Sequence, residues 1–150
     1  MSLDIRAKFM MVVAVTFFIY SVLWALAPYP TINLPARLIL DLADWPLDSL
    51  KTPLDRNTQW LSAIGSGVLA AISIFLGGIV VPAIKNADTS ITRTSILAMI
   101  VWYVIDSTGS IASGVTSNVF FNTIYLALVL IPLIGINFDD KTKKVNTTLG

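Results

Sequence analysis

The run Phe9 to Ala27, FMMVVAVTFFIYSVLWALA, contains no charged residue, and it is one of four long apolar stretches. The others cover approximately residues 59–84, 94–114 and 118–137, and only the third holds a charge, Asp106. Each is close to the roughly 20 residues that cross a hydrocarbon core about 30 Å thick. In lipid a backbone must satisfy its own hydrogen bonds, so these stretches are expected to be helices. A soluble domain ordinarily has about 25% charged residues. This chain has 150 residues and 13% charged side chains, too little polar sequence to cover four apolar helices in water. The expected fold is an all-α integral membrane protein. It is read as a single domain over residues 1–150, with four transmembrane helices in an antiparallel bundle.

The first stretch shares features with a cleavable leader, since Arg6 and Lys8 precede it and Ala25-Leu26-Ala27 stands near its end. Its apolar run exceeds the roughly 7–15 residues of a leader core, and Pro28 would follow the cut directly. It is therefore read as a retained span. With four spans, both termini share a side with the Lys85–Arg93 connection. That side carries Arg6, Lys8, Lys85, Arg93, Lys141, Lys143 and Lys144, against Arg37, Lys51 and Arg56 opposite. The basic excess predicts that both termini, and the tail 138–150, are cytoplasmic in a bacterial or archaeal cell. Net charge is only +1, which provides no basic face for nucleic acid. The expected partners are membrane lipids, with a homo-oligomer or a larger membrane complex as the protein context.

The extracytoplasmic loop, residues 28–58, is patterned. Leu38, Ile39, Leu42 and Trp45 fall on one stripe of a helix, and Arg37, Asp41, Asp44 and Asp48 on the opposite one. A short amphipathic helix from about Pro35 to Asp44 is predicted, lying at the interface as a lid on the bundle or as a lipid contact. Pro35 suits its first turn and Pro46 stops it. The sequence xPLD occurs at Trp45–Asp48 and again at Thr52–Asp55. In the second copy Thr52 is expected to cap the next helix, with Pro53 as its first residue. That helix carries Ser62, Ser66, Ala70, Ser73 and Gly77 on one face, which predicts a close helix contact or room for a ligand. Gly77, Gly78 and Pro82 near its far end either bend the helix or are simply tolerated there.

The connection between the third and fourth spans, Gly114-Val115-Thr116-Ser117, is very short. Counting outward from position 114 pairs Ser110 with Asn118 and Asp106 with Asn122. Trp102 and Tyr103 stand one turn before Asp106. Placed 12 residues into a span starting at 94, Asp106 lies about 18 Å along the helix. An ionised carboxylate at such depth costs at least about 2.5–3.5 kcal/mol, and no Lys, Arg or His lies in any span to offset it. Asp106 is thus expected to be protonated much of the time, donating to Asn122 or to a backbone carbonyl. The candidate ligand or proton site is Asp106, Asn122, Ser110, Asn118, Tyr103 and Trp102, with Ser66 from the small-residue face.

All nine acids are Asp, and the chain has no His and no Cys. This excludes disulfides, thiolate zinc sites, histidine-ligated cofactors and any Ser-His-Asp triad. No cofactor or metal is expected, and an enzyme is the least supported class. A binding or accessory membrane protein, with an outward-facing polar pocket for a lipid-like ligand or partner helix, is the leading reading. The alternative is a proton-coupled transporter working as a homo-oligomer, with Asp106 as the protonatable site. In plan the chain is similar to the small multidrug resistance exporters. Those carry a Glu in their first span and lack a long first loop, so no residue carries over. In its four-span layout, small-residue second span and Ser/Gly/Asn-rich last hairpin, the chain resembles small four-helix bacterial membrane proteins of the DoxX-like kind. That resemblance implies the fold and assigns no activity.

Overall fold

In a computed structural model, described for residues 1–47 and 53–136, the chain is helical throughout its regular structure. Helix α1 (Leu3–Trp24) is followed by a short α2 (Leu34–Ala43). Helix α3 (Arg56–Phe75) runs through a π turn (Leu76–Val80) into α4 (Val81–Lys85). Helices α5 (Thr89–Ala112) and α6 (Ser117–Leu133) complete the described chain. Asp48, Lys51, Thr52 and the tail beyond residue 136 lie outside the described residues.

Capping chemistry moves several boundaries away from the apolar limits. Helix α1 starts at Leu3, ahead of Arg6 and Lys8, because the Ser2 hydroxyl accepts from the Ile5 N–H at 3.4 Å. It ends at Trp24 rather than Ala27, since a residue before proline disfavours helical backbone and Pro28 follows. Asp55 is the cap of α3, not a residue inside a helix that Thr52 would start. Its Oδ1 accepts from the N–H groups of Asn57 at 2.9 Å and Thr58 at 3.0 Å. At Gly77 and Gly78 the helix passes through the π turn, where the Val81 N–H donates to Leu76 five residues back. Pro82 supplies the reason. It has no N–H to give Gly78, and its ring would crowd that carbonyl in a regular α-helix.

The Lys85–Arg93 connection is shorter than its polar sequence suggests. The Asp88 N–H donates to Ala83 at 2.8 Å and the Ala87 N–H to Ile84 at 3.1 Å, closing α4 with Ala87 at φ 49°. Asp88 then caps α5 through the N–H groups of Ser90 and Ile91. Arg93 therefore lies inside α5, which begins at Thr89 rather than near Thr94. Helix α6 ends at Leu133, where Arg6 donates to the carbonyls of Pro132 and Ile134. A cation there suits the negative end of the helix dipole.

Helix α1 is the hub of the packing and touches α2, α3, α4 and α6. Its buried residues Ala7, Met10, Ala14, Phe17 and Ser21 recur at alternating intervals of three and four, the spacing of a packing seam. Ala7, Met10, Ala14 and Phe17 join Leu76, Val80, Ile84, Met99, Val129 and Leu133 in one core. The serine face of α3 turns toward α1. Ser62, Ser66 and Ser73 are buried, and the hydroxyls of Ser66 and Ser73 donate to carbonyls of their own helix. Met11 and Ala14 approach Gly77, and the Trp24 ring lies over Gly65.

Outside this core the surface is apolar. Val12, Ile74 and Ile105 are 65%, 66% and 68% exposed, on three different helices. Helix α1, the continuous Arg56–Lys85 segment and α5 are each long and apolar enough to cross a membrane. Helix α6 is shorter, with 17 residues, or about 25 Å of rise.

Helix α2 forms where the pattern predicts, with Pro35 in its first turn. Asp41 and Ala36 are buried, whereas Leu34, Leu38, Leu42 and Trp45 are exposed. The helix is fastened at both ends. The buried Asn33 side chain donates to Ala27 O at 3.3 Å. At the other end the Ser117 hydroxyl donates to Ala43 O at 2.6 Å and accepts from the Trp45 N–H at 3.1 Å. The helix rests on α1 and α6, and its Ile39 and Leu42 line a small cavity with Tyr20, Asn118, Phe121 and Tyr125.

Candidate functional site

The α5–α6 connection sets the site geometry. The Val115 N–H donates to Ser110 O at 2.9 Å and the Gly114 N–H to Ile111 O at 3.1 Å. Gly114 has φ +83°, the left-handed conformation that this helix ending requires and that glycine adopts without Cβ strain. The turn brings the two helices together along a ladder of polar side chains. Asn118 Nδ2 donates to Ser110 Oγ at 2.9 Å, as the count from position 114 anticipates.

The deeper rungs differ from that count. The buried Asn122 donates to Ser107 Oγ at 3.4 Å, not to Asp106. One rung further on, Tyr103 and Thr123 share a hydrogen bond of 3.1 Å between their hydroxyls. Counting assumes two helices that keep a fixed phase about the turn. In the structure α5 is rotated so that Tyr103, Ser107 and Ser110 face α6. Asp106 precedes Ser107 by one residue, or about 100° of helix rotation. It is half-buried, and among the described residues it has no hydrogen-bond or ion-pair partner.

Asp106 is also nearer one helix end than its place in the apolar run suggests. Because α5 begins at Thr89 and ends at Ala112, the carboxylate is about 25 Å from the start and about 9 Å from the end at the α6 turn. Trp102, one turn before it, is partly buried against the core. Ser66 does not join this group. It lines a separate groove of about 320 Å³ between α1 and α3, with Ser21, Ala25, Tyr29, Ala63 and Gly67 among its walls.

Sequence reasoning missed Ser107 and Thr123, the residues that take the places on α5 and α6 expected for Asp106 and beside Asn122. It also missed an aromatic group under α2. Tyr125 meets Phe17 at 5.4 Å and Tyr20 at 5.9 Å, with edge-to-face rings. A small cavity of about 10 Å³ lies there between Tyr20, Asn118, Phe121, Tyr125 and α2. Tyr20 sits inside an uninterrupted apolar run and offers no local signal, whereas Ser107 adjoins the singled-out Asp106. No family model, curated protein or solved structure matches the chain.

Proposed function

We propose that this is a polytopic membrane protein of binding or accessory type, whose site on the free flank of α5 takes a lipid-like ligand or a partner helix. The reading takes the four helical segments as four spans in an antiparallel bundle, with both termini cytoplasmic and α2 at the outer interface. The observation that carries it is Asp106, a half-buried carboxylate within a long apolar helix, with no partner among the described residues. Ionisable groups in lipid are expensive and ordinarily face a partner. The Asn and Ser side chains nearby already bond to each other across α5 and α6. The carboxylate is therefore left to something beyond these two helices.

The exposed residues at one end of the molecule support the membrane reading. Tyr29, Trp45 and Trp60 are all exposed, and they gather near α2 and the start of α3 as an interfacial aromatic belt would. The test is a photoreactive side chain at Ile105, beside Asp106, compared with one at Val12 on the lipid-exposed face of α1. A discrete adduct from position 105, absent from position 12, is expected in native membranes. Equal labelling of bulk lipid from both positions would overturn the proposal.

A further inference from the structure

We propose that the groove between α1 and α3 is a phospholipid site, with one acyl chain lying along it and the phosphate held at its outer end by Arg56 and Tyr29. This site is separate from the flank of α5 and shares with it only the membrane reading. The shape of the groove selects a narrow occupant. It follows α1 from Phe18 to Ala25 and α3 from Ala63 to Ala70, which is about 10 Å of rise on each helix. A volume of about 320 Å³ over that length leaves a cross-section of about 30 Å², less than half that of a helix 10–12 Å across. A single hydrocarbon chain fits where a second helix does not. The serines of the wall make no polar demand on it. The Ser21 hydroxyl donates to Phe18 O at 2.7 Å and the Ser66 hydroxyl to Ala63 O at 3.1 Å. Val22, Ala63 and Gly67 are exposed along the groove, so a chain can enter it sideways from the bilayer.

Charge complementarity says what else the occupant carries. Arg56, Ala63 and Ala70 recur every seventh residue of α3, so each stands within about 20° of the one before. Arg56 is therefore on the same stripe as the groove, about 10 Å beyond Ala63 toward the helix start. It is exposed, and its guanidinium has no hydrogen-bond or ion-pair partner among the described residues. The neighbouring Asp55 carboxylate is engaged with Asn57 and Thr58. Trp24 over Gly65 and Ala14 beside Gly77 set the end of α1 level with the first half of α3. Pro28 and Tyr29, just past that end, line the groove on the side of Arg56. A guanidinium matches phosphate in charge and in its paired donors, and its stem can lie along apolar surface. A cation and a phenol at the mouth of an apolar groove thus fit a phosphate that carries a hydrocarbon chain.

The test reconstitutes the full chain in liposomes with phosphatidylglycerol that carries a photoreactive group midway along one acyl chain. After irradiation, adducts mapped by mass spectrometry should concentrate on Val22 and residues 63–70, at least fivefold above those on Val12. Gly67→Leu places a side chain in the groove, where a Cβ meets nothing within 4 Å. It should remove the excess and leave labelling of Val12 unchanged. Arg56→Gln should lower the excess at least threefold. It should not alter the weaker labelling by a diacylglycerol probe, which has the same chains and no phosphate. Even labelling of all exposed faces, an excess indifferent to Gly67→Leu, or equal excess from the two probes would overturn the proposal. The chain has no cysteine, so a disulfide-linked dimer of Gly67→Cys on mild oxidation would assign the groove to a second copy and overturn it too. Release of the chain from the liposomes by alkaline carbonate would overturn the membrane reading as well.

Discussion

At the scale of single residues, two glycines two positions apart on α3 answer different demands. A Cβ on Gly65 would stand 2.4 Å from the Trp24 ring, whereas a Cβ on Gly67 meets nothing within 4 Å. Glycine inside a helix costs roughly 0.5–1 kcal/mol relative to alanine. Gly65→Ala is expected to lower stability by about 1–3 kcal/mol, the usual cost of forcing volume into a packed contact. Gly67→Ala should be neutral or slightly stabilising. Thermal unfolding of the full chain in detergent, followed through Trp24 and the other indoles, separates the two. Equal effects would mean that the Trp24 ring moves aside freely. Nothing in the sequence distinguishes these glycines, because the difference lies in which face of α3 meets α1.

The element scale is where sequence reading was most instructive, in success and in error. The existence of α1, α3, α5 and α6 follows from apolar length, and α2 from its periodicity and Pro35. Their ends do not, because ends are decided by individual hydrogen bonds. Asp55 is an example. Its carboxylate accepts from the Thr58 hydroxyl and from two N–H groups. These bonds, the Thr58 hydroxyl foremost, hold its pKa below the ordinary value of 3.8. A carboxylate with a depressed folded-state pKa stabilises the fold fully above its unfolded value and loses that contribution as pH falls through the folded one. Melting temperature should therefore decline below about pH 4, and Asp55→Asn should remove part of that decline while keeping a capping oxygen. An unchanged acid limb in Asp55→Asn would show that another carboxylate governs it. The Asn118–Ser110 rung was legible because it lies one turn from the hairpin, where small errors of phase do not accumulate. The Asp106 rung, two turns out, was lost to a rotation that only the packing of α5 against α6 sets. The burial of Asp41 on α2 was hidden for a similar reason, since Asn33 and Ser117 fasten that helix from outside it.

At the scale of the whole molecule, the proposed topology predicts which connections share a side. Single cysteines at Ser2 and Asn86 should react with a membrane-impermeant maleimide from one face of sealed vesicles. Those at Tyr29 and Ser113 should react from the other. A C-terminal reporter on the side of Ser2 would support α6 as a fourth span despite its 17 residues. One on the opposite side would reduce the count to three. The tethering of Arg6 to Pro132 and Ile134 already joins the first and last described helices at one end. Substituting Arg6 would therefore loosen both at once.

The π turn between α3 and α4 has a further consequence. A turn that spans five residues instead of four is the imprint of one surplus residue absorbed without breaking the helix. It splits Arg56–Lys85 into two lengths whose angular settings differ by about 100°, the rotation contributed by one residue. Deleting one residue from Leu76–Val80 would remove that phase shift, although Pro82 would still lack the N–H a regular helix needs, and it would act at a distance. Val81, Ile84 and everything downstream, including the orientation of Asp106, would swing relative to α1. The segment thus behaves as a phase adjuster, and its length in residues, more than their identity, sets which way the second half of the protein faces.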